Sequence, residues 1–173
     1  MRRALALLVA LAAAAVLAGC SGGGLGEGAV QDLLPAADRD PAPAVDVPAL
    51  DGDGRVTLAD RAGRPVVLNF WASWCEPCMR ETPALVKFSE AHPGLDVVGL
   101  AVNDTRGDAR RFAAEEGVPY DLGLDQGADV ASEFGVSGLP VTVVVDGEGR
   151  VAATFIGEIE EAQLESFADQ LGV

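Results

Sequence analysis

The chain has 173 residues, three cysteines and a formal net charge of −15. Removing the N-terminal segment that carries Arg2 and Arg3 would take the remainder to −17. A surface so acidic repels phosphates, which excludes a nucleic-acid binder, disfavours anionic lipid headgroups and favours a soluble monomer.

The first segment reads MRRALALLVALAAAAVLAGC. Two arginines precede an alanine-rich apolar run that is short for a spanning helix, the pattern of a secretory signal over residues 1–19. Leu17–Cys20 resembles the bacterial lipobox, and that resemblance implies cleavage before Cys20 and a lipid on its sulfur. Cys20 is then a membrane tether, and the domain works on the extracytoplasmic face of the cell membrane, where disulfides persist. Residues 20–44 are rich in Gly, Pro and Ala and are expected to be a flexible spacer. Residues 45–173 have the size of one domain with one core.

Within that domain VPALDGDGRVTL predicts a β-hairpin, its Asp-Gly pairs lying between two short apolar runs. RPVVLNFWA predicts a strand buried on both faces. A helix is expected from about Glu76 to Ala91, stopped by His92-Pro93-Gly94. LDVVGLAV predicts a second buried strand, and GDARRFAAEEG a short helix that Asp108 caps and Gly117 closes. A short strand at YDLGL and a short helix ending at Gly135 follow. PVTVVV and VAATFIG predict an antiparallel pair around the DGEG turn. Leu164, Phe167, Ala168 and Leu171 mark one face of a terminal helix. Strand–helix–strand crossovers ahead of a hairpin give an α/β fold with a mixed sheet.

Cys75 and Cys78 stand two residues apart where the first buried strand turns into a helix. Such a pair serves either reversible disulfide exchange or metal binding. Structural zinc needs four ligands, and with Cys20 used for lipid only His92 remains as a further soft ligand, so the redox use is favoured. Free N–H groups and the helix dipole at a helix start stabilise a thiolate, which makes Cys75 the attacking sulfur. Cys78, one turn in, is expected to be shielded and to resolve the mixed disulfide. Pro77 suits a first helical turn, and Trp74 offers an apolar lid beside the sulfur. Glu76, between the two cysteines, should raise the pKa of Cys75 and push the couple toward the reducing side. His92 reads as a solvated cation at the helix C-terminus.

FWASWCEPCMRETP resembles the WCxPCxxExP signature of thioredoxin-like thiol–disulfide oxidoreductases, in particular the membrane-tethered TlpA/ResA (DsbE-like) group. Cys75, Pro77, Cys78, Glu81 and Pro83 match it, and SGLPVTVVVDGEGRV is similar to the family's cis-proline loop, with Pro140 preceded by Leu139. The resemblance implies a thioredoxin-like fold with a mixed central sheet, an N-terminal β-hairpin and a central αβ insertion. It also implies reduction of protein disulfides, with apocytochrome c a known client class, and recharging by a membrane thiol carrier of the CcdA/DsbD kind. No cofactor and no metal is implied, because the dithiol itself does the chemistry.

Thioredoxin carries a buried aspartate six residues before its first cysteine, where this chain has Asn69. Proton handling must come from elsewhere, and Asp104, with Asp108 behind it, is the candidate relay from the segment after the second strand. Two other readings compete. An oxidase would keep the fold and reverse the electron flow. A copper(I) metallochaperone would use the same two thiolates.

Overall fold

The computed structural model describes residues 31–173; the expected signal segment, Cys20 and the remaining residues up to 30 lie outside the described part. A short antiparallel hairpin, β1 (Asp46–Pro48) and β2 (Arg55–Thr57), precedes the main sheet. The sheet is built from β3 (Val66–Trp71), β4 (Asp96–Val102), β5 (Asp121–Asp125), β6 (Val141–Val145) and β7 (Val151–Ile156). Its order is β5-β4-β3-β6-β7, with β3, β4 and β5 parallel and β6 and β7 antiparallel to their neighbours. Four helices connect or cover it: α1 (Glu76–Ala91), α2 (Arg106–Glu115), α3 (Asp129–Glu133) and α4 (Glu161–Leu171). None of the described helices is long and apolar enough to cross a membrane.

β3 lies at the centre of this sheet because all six of its residues can be buried. Alternate side chains enter two cores. Val66, Leu68 and Phe70 pack with Val143 and the hairpin valines on one face. On the other, Val67 and Val144 pack under Leu85 and Phe88 of α1 and Leu164 and Phe167 of α4. Each such side chain contributes roughly 1.5–3 kcal/mol through the water it sheds. Two glycines allow close approach in the β4–β5 half of the sheet. A Cβ on Gly99 would come within 2.5 Å of Leu122 and 2.9 Å of the Trp71 ring nitrogen, and one on Gly123 within 2.5 Å of Val47.

Helix α2 begins differently from the expectation. Thr105 takes the N-cap, its hydroxyl accepting the Asp108 N–H, while Asp108 stands three residues in and bonds Thr105 and Arg111. The threonine wins because its backbone is extended there, whereas Asp108 is already helical. The described part of the expected spacer also differs. Residues 31–42 form a strap along the outer edge of β7 and the flank of α4. Leu34 N–H donates to the Ala152 carbonyl, Val151 N–H to Asp40, and Ala42 N–H to Gly149. Pro41 bridges to Arg150. Gln31 and Gln163 exchange two hydrogen bonds, Leu33 N–H donates to Gln170, and the Leu33 side chain packs on the α1/α4 core. The strap thereby pairs groups that an edge strand otherwise leaves open.

Candidate active site

Cys75 closes the loop after β3 and is the N-cap of α1; its sulfur accepts the Cys78 N–H at 3.3 Å. The two sulfurs are bonded to each other at 2.06 Å. Cys75 keeps 5% of its surface exposed and Cys78 none. Pro77 sits in the first turn, where an N–H would have no helical partner. Pro83 lies inside the same helix and cannot donate to the Met79 carbonyl, so the ladder is interrupted one turn past the cysteines.

The loop that presents Cys75 is held from below by Asp104, which is buried at the end of β4. One carboxylate oxygen accepts the Ser73 N–H at 2.6 Å; the other accepts the Ser73 hydroxyl at 3.1 Å and the Thr105 N–H at 2.7 Å. Both oxygens are engaged in joining this loop to the start of α2. Asp108 faces Thr105 and Arg111 instead. Trp74 is 62% exposed, with its indole N–H donating to the Asn103 carbonyl at 3.3 Å. Glu76 points into solvent and pairs with Arg80 at 3.2 Å, and Arg80 also holds Glu158. Its charge is therefore screened by water and by a guanidinium, which weakens the influence expected on Cys75. His92 is half-buried against the Phe88 ring and lies 3.4 Å from Glu165, so it does not stand free in solvent as expected.

The group that reading the sequence left without a role is Glu81. It lies one turn past Cys78 and is buried. Its oxygens accept the Asn69 side-chain N–H at 2.8 Å and the Ile159 N–H at 2.9 Å. Burial pushes its pKa up to about 7 against the pull of these two donors, with Glu158 nearby adding to the rise. Asn69 donates also to the Thr142 hydroxyl at 3.1 Å. An ionisable group thus stands buried one helix turn past Cys78, bonded to the non-titrating amide that occupies the β3 position. A signal was present: Cys78, Glu81, Leu85 and Phe88 recur at helical spacing, placing a carboxylate on an otherwise apolar stripe.

Pro140 is buried and follows a cis peptide bond from Leu139. Its carbonyl accepts the Gly157 N–H at 3.0 Å, which ties this loop to the end of β7. Leu139 packs in the same cluster as Cys75 and Cys78, so the proline loop and the disulfide share one wall.

A helix-capping sulfur bonded to a buried one, walled by a cis-proline loop, defines a thioredoxin-like thiol–disulfide oxidoreductase. Residues 37–171 match the Redoxin family, and the chain belongs to it. It is 39% identical over 132 residues to the thiol:disulfide interchange protein HelX of Rhodobacter capsulatus, covering 75% of this chain and 74% of that one. It is 30% identical over 135 residues to the thiol-disulfide oxidoreductase ResA of Bacillus thuringiensis, covering 75% and 76%. Among solved structures it superposes on a DsbF homologue from Corynebacterium diphtheriae with a TM-score of 0.76 at 30% identity, covering 84% of this chain and 96% of that one.

Proposed function

We propose that the chain is an extracytoplasmic, lipid-tethered reductase of protein disulfides, in which Cys75 attacks and Cys78 resolves. The observation that carries this reading is the asymmetry of the pair. Cys75 caps the helix and accepts an N–H there, while Cys78 is closed off one turn behind it. An N–H and the helix dipole favour a thiolate on Cys75 in the reduced protein.

The Cys75 thiolate attacks one sulfur of a client disulfide, forming a mixed disulfide and releasing the other client sulfur as a thiolate that takes a proton from water. Cys78 then loses its proton, with Glu81 the nearby carboxylate to take it. The Cys78 thiolate attacks the Cys75 sulfur, which frees the second client thiol and leaves the Cys75–Cys78 disulfide. Two electrons pass from the pair to the client. Asp104 serves in this scheme as a positioning residue for the Ser73–Cys75 loop, since its oxygens are occupied there. Trp74 and the Leu139–Pro140 loop offer the docking surface. The kinship with a thiol:disulfide interchange protein and a thiol-disulfide oxidoreductase supports protein disulfides as substrates. The motif resemblance to the TlpA/ResA group points to apocytochrome c as the client class and a membrane thiol carrier of the CcdA/DsbD kind as the source of electrons.

The redox potential of the Cys75–Cys78 couple tests the direction. A value near ~−270 mV, that of thioredoxin, is expected; a value near ~−120 mV would make the protein an oxidase.

A further inference from the structure

The strap of residues 31–42 sets where the tether leaves the fold. It runs antiparallel to β7, from Asp40 beside Val151 to Gln31 beside Thr154. Along α4 it runs from Gln170 in the last turn to Gln163 in the first. Both directions lead toward the pole that carries the disulfide. Ile156, two residues beyond Thr154, pairs with Val141, which follows Pro140. The first turn of α4 adjoins Glu158 and Ile159, the contacts of Arg80 and Glu81. Without the strap the chain would enter the fold at Val45. That residue lines a cavity of about 290 Å³ with Val66 and Val145, the first residue of β3 and the last of β6, at the opposite pole.

We propose that the strap orients the molecule, so that a chain held at Cys20 turns its active-site pole toward the bilayer and meets a membrane-embedded dithiol protein there. This rests on the reading of Cys20 as the anchor. Ten residues lie between Cys20 and Gln31, and a chain of that length reaches at most about 40 Å. Taken as the Gly-rich coil that its composition predicts, such a tether spans on average about 18 Å, roughly half the ~37 Å width of a domain of this size, which restricts its turning. The pole it exposes carries Trp74, Met79 and Ile156, three of the large apolar side chains left exposed. Met79 stands one turn past Cys75 and Ile156 is 81% exposed. The net charge of the mature chain opposes burial of that pole among anionic headgroups, so these side chains suit a protein surface at the membrane. In the exchange, one partner thiolate attacks the Cys75–Cys78 disulfide and the second partner thiol resolves the mixed disulfide. Two electrons and two protons pass to Cys75 and Cys78, and the partner is left with a disulfide.

Both tryptophans of the chain, Trp71 and Trp74, stand at the active-site end of β3, so their energy transfer to a dansyl headgroup reports which pole faces the lipid. The oxidised mature chain is attached to phosphatidylcholine vesicles through Cys20, by its own lipid or by a maleimide-headed lipid, Cys20 being its single free thiol. Two variants are compared with it. One carries Leu33→Ser, Leu34→Pro and Gln163→Ala to release the strap; the other keeps the strap and adds about 40 Gly/Ser residues after Ser21, a tether long enough to allow free turning. Transfer is expected to fall at least twofold in both, with circular dichroism checking the fold of the first. Equal transfer in all three chains, or weaker transfer in the native one, would overturn the orientation whatever the exchange activity. A cellular chain whose Cys20 carries no lipid would overturn the anchor reading instead.

Discussion

Glu81 concentrates most of the unusual electrostatics of the site in one residue. A carboxyl whose folded pKa is about 7, against about 4.5 when unfolded, holds its proton more tightly in the native state. The native state therefore binds more protons than the unfolded chain between these two values, and stability falls as pH rises through that window. The loss is on the order of 3 kcal/mol and levels off above pH 7. Glu81→Gln should flatten this slope in urea titrations run from pH 4.5 to pH 8. If Glu81 takes the Cys78 proton, the same substitution should slow release of the mixed disulfide at least about tenfold at pH 7. An unchanged release rate with a flattened stability slope would leave Glu81 a buried acid without a role in exchange.

At the scale of elements, the central crossover rests on close backbone approach. Gly99 faces Leu122 on one side and Trp71 on the other, and Trp71 in turn packs in a tilted arrangement on Phe112 of α2, ring centres 5.1 Å apart. Gly99→Ala is expected to cost about 1–3 kcal/mol, read as a drop in denaturant midpoint, since a Cβ there must displace both neighbours. A loss below about 0.5 kcal/mol would mean that the Leu122 and Trp71 side chains yield easily. Much of this layout was legible in the sequence. The hairpin, the buried β3 and β4 runs and both ends of α1 follow from alternation, β-branched content and the His92-Pro93-Gly94 stop. The strap was not legible, because several of its partners are backbone groups of β7 and of the turn before it, and edge pairing needs no side-chain pattern. The N-cap of α2 was misplaced by three residues, since Thr105 and Asp108 are both good caps and only backbone geometry separates them.

For the whole molecule, the spacing of the cysteines and their place after a buried strand were enough to find the redox pair, whereas the buried carboxyl proposed to take the Cys78 proton shows its character only through tertiary contacts. Asp104 stood out in the sequence as an acid, yet folding commits its oxygens to Ser73 and Thr105. Glu81 stood out only as a signature match, and its raised pKa arises from burial in the surrounding core, against the pull of the Ile159 and Asn69 donors, which tertiary contacts alone bring to it. The chain thus pairs an exposed Trp74 beside Cys75 with a buried Cys78 and, one helix turn on, a buried Glu81, the division on which the proposed exchange rests. The measurement that tests this division most directly is trapping of client proteins in the Cys78→Ala and Cys75→Ala variants, followed by mapping of the linked cysteine. Mixed disulfides should accumulate on Cys75 in the first variant and be scarce in the second. Clients held on Cys78 in the Cys75→Ala variant, with none on Cys75 in the other, would contradict it.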